Sequence, residues 1–354
     1  MAGQHNDVHA QERDTDFDEA ASDVDSTFSE TAPSLISLRY SIFDYEFENG
    51  RTYHSMSRGK YAYPNDDSIR QLEVERLKLQ HHIWLITLNG ELACNPEKHK
   101  AKRVMDMGTG TGVWAIDFVS EADAYPGSEA SDCGITLVTW HDLYTNNYKV
   151  IGVDLSAIQP EYFEIDDLEK DWKWKRPFDF IFCRAMAGSF FDFPSIIRKA
   201  FDNLNPGGWF EMQDLELPMF CTDGTITTDS ALWRWHAAVV EAARATGRPL
   251  DYAPKCIPDL QRAGFVDIRR RTARWPFNTW PQHPKLKEIG RWHCANLEMG
   301  LEGFSMALLT RVKGWDPAEV SALCDEAKKE VRNMNMHGYW NMYVPFHQFV
   351  AQAV

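Results

Sequence analysis

A parallel, doubly wound α/β sheet is the fold class this 354-residue sequence predicts. Three observations carry it. Short apolar runs alternate with longer stretches of helical periodicity. Several of those runs stop at a charged residue: Asp106, Asp154, the pair Asp166-Asp167, and Arg184. One of them breaks into alternating glycines and then continues as a helix. In open α/β sheets ligands bind beyond the carboxyl ends of the strands, where those charged residues would lie.

The elements follow in order. Asn49-Gly50 and Arg58-Gly59 mark turns. Asp66 or Asp67 caps a helix that runs to about Leu88, with Ile69, Leu72, Arg76, Leu79 and Ile83 at three- and four-residue steps on one face. Asn89-Gly90 ends it. Residues 103–107 form the first strand of the sheet, and a helix starts at 111, carrying Val113, Trp114, Ala115, Ile116 and Phe118. The Trp114 ring is expected to pack that helix on the sheet. Val150 to Val153 is a strand ending at Asp154, and Tyr162 to Ile165 is a short one ending at Asp166-Asp167. Phe178 to Cys183 is a fourth, followed by Arg184. A helix over 194–204 leads through Asn205-Pro206-Gly207-Gly208 into a fifth strand, Trp209 to Met212. Ser230 to Thr246 reads as a helix, and Gly264-Phe265 opens a strand to about Arg271. From about Trp275 to Met336 the chain is largely helical and rich in aromatic residues, either a lid over a ligand site or a layer completing the core. Tyr339 to Val350 alternates as a strand.

Composition excludes several classes. The hydrophobic fraction of 44% and charged fraction of 25% are ordinary for a globular protein. No apolar run approaches the roughly 18 residues of a membrane span, and the polar start of the chain lacks the apolar core of a signal peptide. The seven cysteines are scattered without a C-x-x-C pair, which speaks for a reducing compartment and against a structural zinc site, so no metal is expected. Of the net charge of −15, residues 1–30 hold −8, nine acids against Arg13. That segment, poor in apolar residues, is expected to be disordered. Neither it nor the remainder offers the basic face that direct nucleic-acid binding needs. Arg269, Arg270, Arg271 and Arg274 read as the solvated side of a strand end.

The turn Asp106-Met107-Gly108-Thr109-Gly110-Thr111-Gly112 is the most specific motif. Glycines at a strand-to-helix turn let a ligand lie against bare backbone at the positive end of the helix. A dinucleotide site needs G-x-G-x-x-G; here the third glycine comes one residue early, and Val113 stands where that pattern needs Gly. A P-loop needs a Lys after its last Gly, and none follows. An acid two residues before the first glycine repels a pyrophosphate but suits a ligand that presents an ammonium group. S-adenosyl-L-methionine presents one. A nucleotide, or a glycine-rich turn that holds nothing, are the alternatives.

At a larger scale the residues resemble class I S-adenosylmethionine-dependent methyltransferases, and more closely the LaeA-like fungal methyltransferases. The resemblance is carried by Gly50-Arg51-Thr52-Tyr53-His54, Tyr61-Ala62-Tyr63-Pro64-Asn65-Asp66, Leu79-Gln80-His81-His82 and Leu88-Asn89-Gly90-Glu91-Leu92. It continues through Met107 to Asp117, Val153 to Pro160, Phe163 to Asp167, and Asn205-Pro206-Gly207-Gly208-Trp209. Gly264-Phe265, Trp280-Pro281 and His337-Gly338-Tyr339 complete it, over roughly residues 45 to 350. About twenty residues near Ala130 to Lys149 are extra to the family pattern, and 127–149 is expected to be a surface loop. The loop before the third strand is shorter than the family's.

The resemblance implies a seven-stranded Rossmann-like sheet, mostly parallel with an antiparallel last strand, an N-terminal helical segment and a helical lid. In residue numbers this gives a disordered acidic tail over 1–38 and a methyltransferase domain over 39–354. The domain divides into a cap segment (39–100), a core (101–274), a lid (275–336) and a last strand (337–354). It also implies roles. Gly108, Thr109, Gly110 and Gly112 would lie along the methionine part of S-adenosyl-L-methionine, and Asp106 would meet its ammonium group. Asp154, with Leu155, would take the ribose hydroxyls; Asp167 or its rival Asp166 the adenine amino group, with Leu168 against the ring. Arg184 would hold the carboxylate or shape the pocket. Tyr53, Tyr61, His81 and His82 belong to the segment expected to fold over the cofactor, Tyr53 as one of its contacts. His293 and His337 are the candidate bases, needed only where the acceptor must lose a proton.

Two functional classes follow. In the first the chain is an enzyme that methylates a small-molecule or protein acceptor in fungal secondary metabolism. In the second it is a cofactor-binding regulatory subunit of a nuclear protein complex, with protein partners and little catalysis. Either places it in the cytoplasm, the nucleus or both, off the membrane.

Overall fold

The computed structural model describes residues 46–49, 51–53, 67–123, 149–155 and 164–348. The acidic tail, Tyr61 and the extra loop up to residue 148 lie outside the described residues. A short hairpin, β1 (Glu46–Glu48) with β2 (Arg51–Tyr53), precedes helix α1 (Asp67–Leu88). Asn89 and Gly90 end that helix with positive φ, as the Asn-Gly pair predicts.

The sheet has seven strands: β3 (Arg103–Met107), β4 (Lys149–Asp154), β5 (Glu164–Ile165), β6 (Phe178–Arg184), β7 (Leu204–Phe220), β8 (Val266–Pro276) and β9 (Tyr339–Gln348). Their order is β5-β4-β3-β6-β7-β9-β8. The pairs from β5 through β7 are parallel. Strand β9 slots between β7 and β8 antiparallel to both, so the last strand is the reversed one. Helices α2 (Val113–Asp123), α3 (Phe193–Asp202) and α5 (Ile257–Ala263) flank the sheet, while α4 (Ala231–Ala245), α6 (Pro284–Lys313) and α7 (Pro317–Arg332) pack on one another beyond it. No helix among the described residues is long and apolar enough to cross a membrane.

Strand β8 starts at Val266 and runs to Pro276, beyond the expected end near Arg271, and three further differences have local reasons. Helix α2 starts at Val113, because Gly110 and Gly112 both hold positive φ and delay the helical turn. Helix α3 starts one residue early, where Asp192 accepts from the Ser195 N–H (3.0 Å) as its cap. Strand β7 spans 17 residues and takes in the Asn-Pro-Gly-Gly stretch, whose pairing with β6 is irregular between Phe178 and Phe180. Its far half reads as polar in sequence because Gln213, Asp214 and Glu216 interrupt the apolar alternation, yet Gln213 and Asp214 are buried.

Two apolar layers hold the sheet. Ile196, Ile197 and Leu260 pack from α3 and α5 onto Ile181, Phe210 and Met212. On the opposite side Trp114 stacks flat on Phe182, centroids 3.7 Å apart and 4° from parallel. A stacked aromatic pair contributes about 0.5–1.5 kcal/mol beyond its buried area, and this one fixes α2, and with it the glycine turn, against β6.

Candidate active site

The glycine turn is tied down by its own backbone. The N–H groups of Gly108 and Thr109 both donate to Val153 O (2.9 and 3.1 Å), binding the turn to the end of β4. Gly112 N–H donates to Thr109 O (2.9 Å), and Gly112 O accepts from Ile116 N–H (3.0 Å) as the first bond of α2. Gly108, Gly110 and Gly112 have φ of 68°, 55° and 77°. A Cβ on Gly108 would stand 2.1 Å from Met186 Sδ; one on Gly110 would have room beside Leu77 but the wrong backbone. Gly110→Val therefore forces a β-branched residue into the left-handed region, at about 1–3 kcal/mol. Donor affinity by calorimetry should fall about ten-fold while thermal unfolding stays cooperative; unchanged affinity would show that the turn does not touch the ligand.

The acids predicted at the strand ends converge. Asp106 is buried, accepts from Thr109 Oγ1 (2.6 Å), and burial raises its pKa to about 7 against the opposing effects of Thr109 and Arg184. Such a carboxyl waits for a cation, and an ammonium group fits it. Asp154 Oδ2 accepts from Gly110 N–H (2.9 Å). Asp166 Oδ1 accepts from Asp167 N–H (2.7 Å), and Asp167 Oδ1 from Glu169 N–H (3.0 Å), a turn that sets Leu168 inward. Asp106, Gly108, Thr109, Gly110 and Asp154 line one cavity of about 270 Å³ together with Leu155, Asp166, Asp167, Leu168 and Arg184. Bare glycine backbone at one end and carboxylates at the next two strand ends are the donor and acceptor set that S-adenosyl-L-methionine requires.

Three predicted residues lie elsewhere. Gly112 is not among the lining residues, because its backbone is spent on starting α2. Tyr53 is buried under the Arg311 guanidinium, 4.4 Å from its ring centroid, and does not line the cavity. His337 pairs through Nδ1 with Asp223 and stacks on Trp280, away from the cavity, where a base could not reach an acceptor. His293, by contrast, lines it.

Arg184 acts as a wall. Its Nε donates to Gln213 Oε1 (2.8 Å), Nη1 to His81 Nδ1 (3.0 Å) and Nη2 to Leu92 O (3.1 Å), and it lies over Phe182 and Trp84. Burial lowers its pKa to about 9, with Asp106 and Glu211 opposing, so it stays charged at neutral pH. Because a guanidinium only donates, His81 Nδ1 must accept, and its Nε2–H donates to Asp117 (2.9 Å). Burial, ahead of the Asp117 contact, lowers the His81 pKa, so the ring is held neutral between two partners.

Sequence reasoning missed the rest of this wall. Glu211 and Gln213 face it from β7, and Asp214 lines the cavity. Burial raises the Asp214 pKa to about 7, and it takes backbone hydrogen bonds from Leu215, Ala187 and Met186, holding the loop after Arg184. Alternating acids and amides inside the run Phe210 to Leu215 were the available signal. The same cavity has an aromatic wall, made by Trp235 and Val239 of α4, Trp275 of β8, Trp340 of β9 and Phe304 of α6, which we call the aromatic chamber. A cofactor cleft that opens into an apolar chamber can align two reactants and keep water from between them.

A methyltransferase domain family model matches residues 87–277. A methyltransferase of Aspergillus terreus named pytC is 35% identical over 328 residues, covering 91% of this chain and 93% of the relative. A secondary metabolism regulator of Cochliobolus heterostrophus is 34% identical over 310 residues, 84% of this chain and 92% of the relative. The protein-methionine methyltransferase laeA of Emericella nidulans is 30% identical over 301 residues, 82% of this chain and 73% of the relative.

Proposed function

This chain belongs to the S-adenosylmethionine-dependent methyltransferases, in their LaeA-like family, and we propose that it transfers a methyl group to an acceptor seated in the aromatic chamber beside Arg184. The observation that carries this is continuity: the glycine turn and the chamber are parts of one cavity. S-adenosyl-L-methionine, when bound, supplies a methyl group already activated on a sulfonium. The protein's part is alignment and exclusion of water. Asp106 and the Gly108–Gly110 backbone hold the methionine end, and Asp154 takes the ribose. Asp166, Asp167 and Leu168 frame the adenine, and Arg184 closes the wall toward the chamber. The secondary metabolism regulators among the relatives support a role in fungal secondary metabolism, and the cytoplasm or nucleus is the location we propose for it. Two kinds of relative, a named methyltransferase and a named regulator, match at similar identity, and the acidic segment over 1–30 suits protein partners. A regulatory role with little or no catalysis is therefore the second reading.

Methyl-labelled donor incubated with the protein and a fungal cell extract is expected to label an acceptor, and Asp154→Ala to reduce labelling at least about ten-fold through the lost ribose contact. Donor binding without any movement of label, with partners co-purifying, would make the regulatory reading the right one.

A further inference from the structure

His293 lines the same cavity, and among the described residues its Nε2 has no hydrogen-bond partner. The side chain is wholly buried on α6, its ring edge-on to Trp275 (5.2 Å) and Phe277 (5.7 Å) and tilted against Trp340 (5.3 Å). Nδ1 lies 3.0 Å from Pro276 O. A carbonyl only accepts, so Nδ1 carries the hydrogen and Nε2 is left as a bare lone pair. Among the described residues that buried Nε2 has no partner, although His293 lines the cavity. A buried polar atom without a partner in the protein points to one supplied by a ligand. Burial holds the ring neutral, its pKa lowered to about 4, so the lone pair is open at any physiological pH.

The surroundings define the ligand. Trp235, Val239, Trp275, Trp340 and Phe304 give apolar walls. The arginines that reach the cavity are engaged: Arg76 with Glu73 and Asn296, Arg248 with Glu169, and Arg184 as described. Nothing there calls for an anionic acceptor. A thioether or an aliphatic carbon would bring no hydrogen for Nε2 and would leave it buried and unsatisfied, at a penalty of about 1–3 kcal/mol.

We infer that His293 Nε2 accepts a hydrogen bond from the hydroxyl of a neutral, mainly apolar methyl acceptor, and that this chain is an O-methyltransferase of small molecules. This rests on the proposed methyltransferase reading and adds its substrate class. In the transfer the hydroxyl oxygen forms a bond to the methyl carbon. The carbon–sulfur bond breaks with its electron pair going to sulfur, and the hydroxyl proton passes to Nε2. A hydroxyl gaining a methyl becomes a far stronger acid than an imidazolium, so even this weakly basic ring takes the proton. The ring then returns it to solvent as product leaves.

The test is binding to the full-length protein saturated with S-adenosylhomocysteine, followed by tryptophan quenching, with naphthol and its methyl ether as probes. Wild type is expected to bind naphthol at least about ten-fold tighter than the ether, because the ether has no hydrogen to offer. His293→Asn keeps a donor for Pro276 O and removes the atom at Nε2; it should bind the two probes within about two-fold of each other. His293→Gln, which returns a polar oxygen to that point, should restore part of the preference. Equal binding of both probes by wild type, or an undiminished preference in His293→Asn, would overturn the inference. S-adenosylhomocysteine affinity, measured by calorimetry on each protein, should not change; its absence from wild type would instead sink the methyltransferase reading.

Discussion

Asp106→Asn is expected to cost donor affinity about 10- to 150-fold while leaving the protein at least as stable at neutral pH. The affinity loss is that of one charge-assisted hydrogen bond, about 1.5–3 kcal/mol. Asn still accepts from Thr109, so the turn keeps its shape. The stability effect follows from the sign of the pKa shift. Burial raises Asp106 from 3.8 to about 7. Between those values the folded protein keeps a proton that the unfolded chain has lost. Native stability therefore falls as pH rises through that window, by up to about 1.4 kcal/mol per pH unit, and levels off above it. Asn has no proton to lose, so the variant lacks this share of the slope. The share from Asp214, raised to about 7 by the same cause, remains. Binding carries the opposite sign: an ammonium group needs the carboxylate, so wild-type affinity should climb as pH rises toward about 7 and then flatten. Calorimetry with S-adenosylhomocysteine from pH 5.5 to 8, beside urea unfolding at the same pH values, checks both. A wild-type affinity flat across that range, or a variant that binds as well, would remove Asp106 from the ammonium contact.

The parts of this molecule legible in sequence are those whose cause is local. Strand β3 was bounded to the residue because its apolar run stops at a glycine turn. The end of α1 was equally clear, since Asn89 and Gly90 take the positive φ that their side chains allow. The acids at the ends of β3, β4 and β5 were readable because a parallel sheet puts every carboxyl end on one edge. What was not legible is assembled from distant pieces. Strand β7 hid behind Gln213 and Asp214, polar residues that are there because the strand walls the cavity. The chamber draws Trp235, Trp275, Phe304 and Trp340 from four elements, and no periodicity within any one of them shows that they meet. His293 and His337 were indistinguishable by residue type. Position separates them: one is buried in the cavity wall with an unpartnered nitrogen, and the other is paired with Asp223 beside Trp280.

Glu211→Leu should be the most destabilising single change in the wall of the site, although Leu fits an apolar strand better. Glu211 has no exposed surface. Its two oxygens accept from Cys94 N–H (2.8 Å to each), Asn95 N–H (2.8 Å) and Gln213 Nε2 (2.7 Å). Burial raises its pKa, and those hydrogen bonds, with Arg184, oppose the rise. The same segment offers Leu92 O to Trp114 Nε1 (3.1 Å), Arg184 Nη2 (3.1 Å) and Gln213 Nε2 (3.2 Å). Residues 92–95 are thus stitched to β7, β6 and α2 at one point, and Glu211 of β7 supplies a charge that balances Arg184. Leu would gain about 1.5–3 kcal/mol of apolar burial. Against that, the N–H groups of Cys94 and Asn95 lose their acceptor at about 1–3 kcal/mol each, and Arg184 loses a buried counter-charge. The balance is a net loss of about 3 kcal/mol, a large part of the 5–15 kcal/mol that holds a typical domain together. Glu211→Gln keeps one acceptor oxygen and should lose roughly half as much. Urea unfolding should show the midpoint falling in the order wild type, Gln, Leu with an unchanged slope. Donor affinity should weaken in the same order, because Arg184 and His81 hang on the same network. A Leu variant as stable as wild type would mean that the 92–95 segment finds its hydrogen bonds elsewhere, and that Arg184 does not need β7 to hold its place.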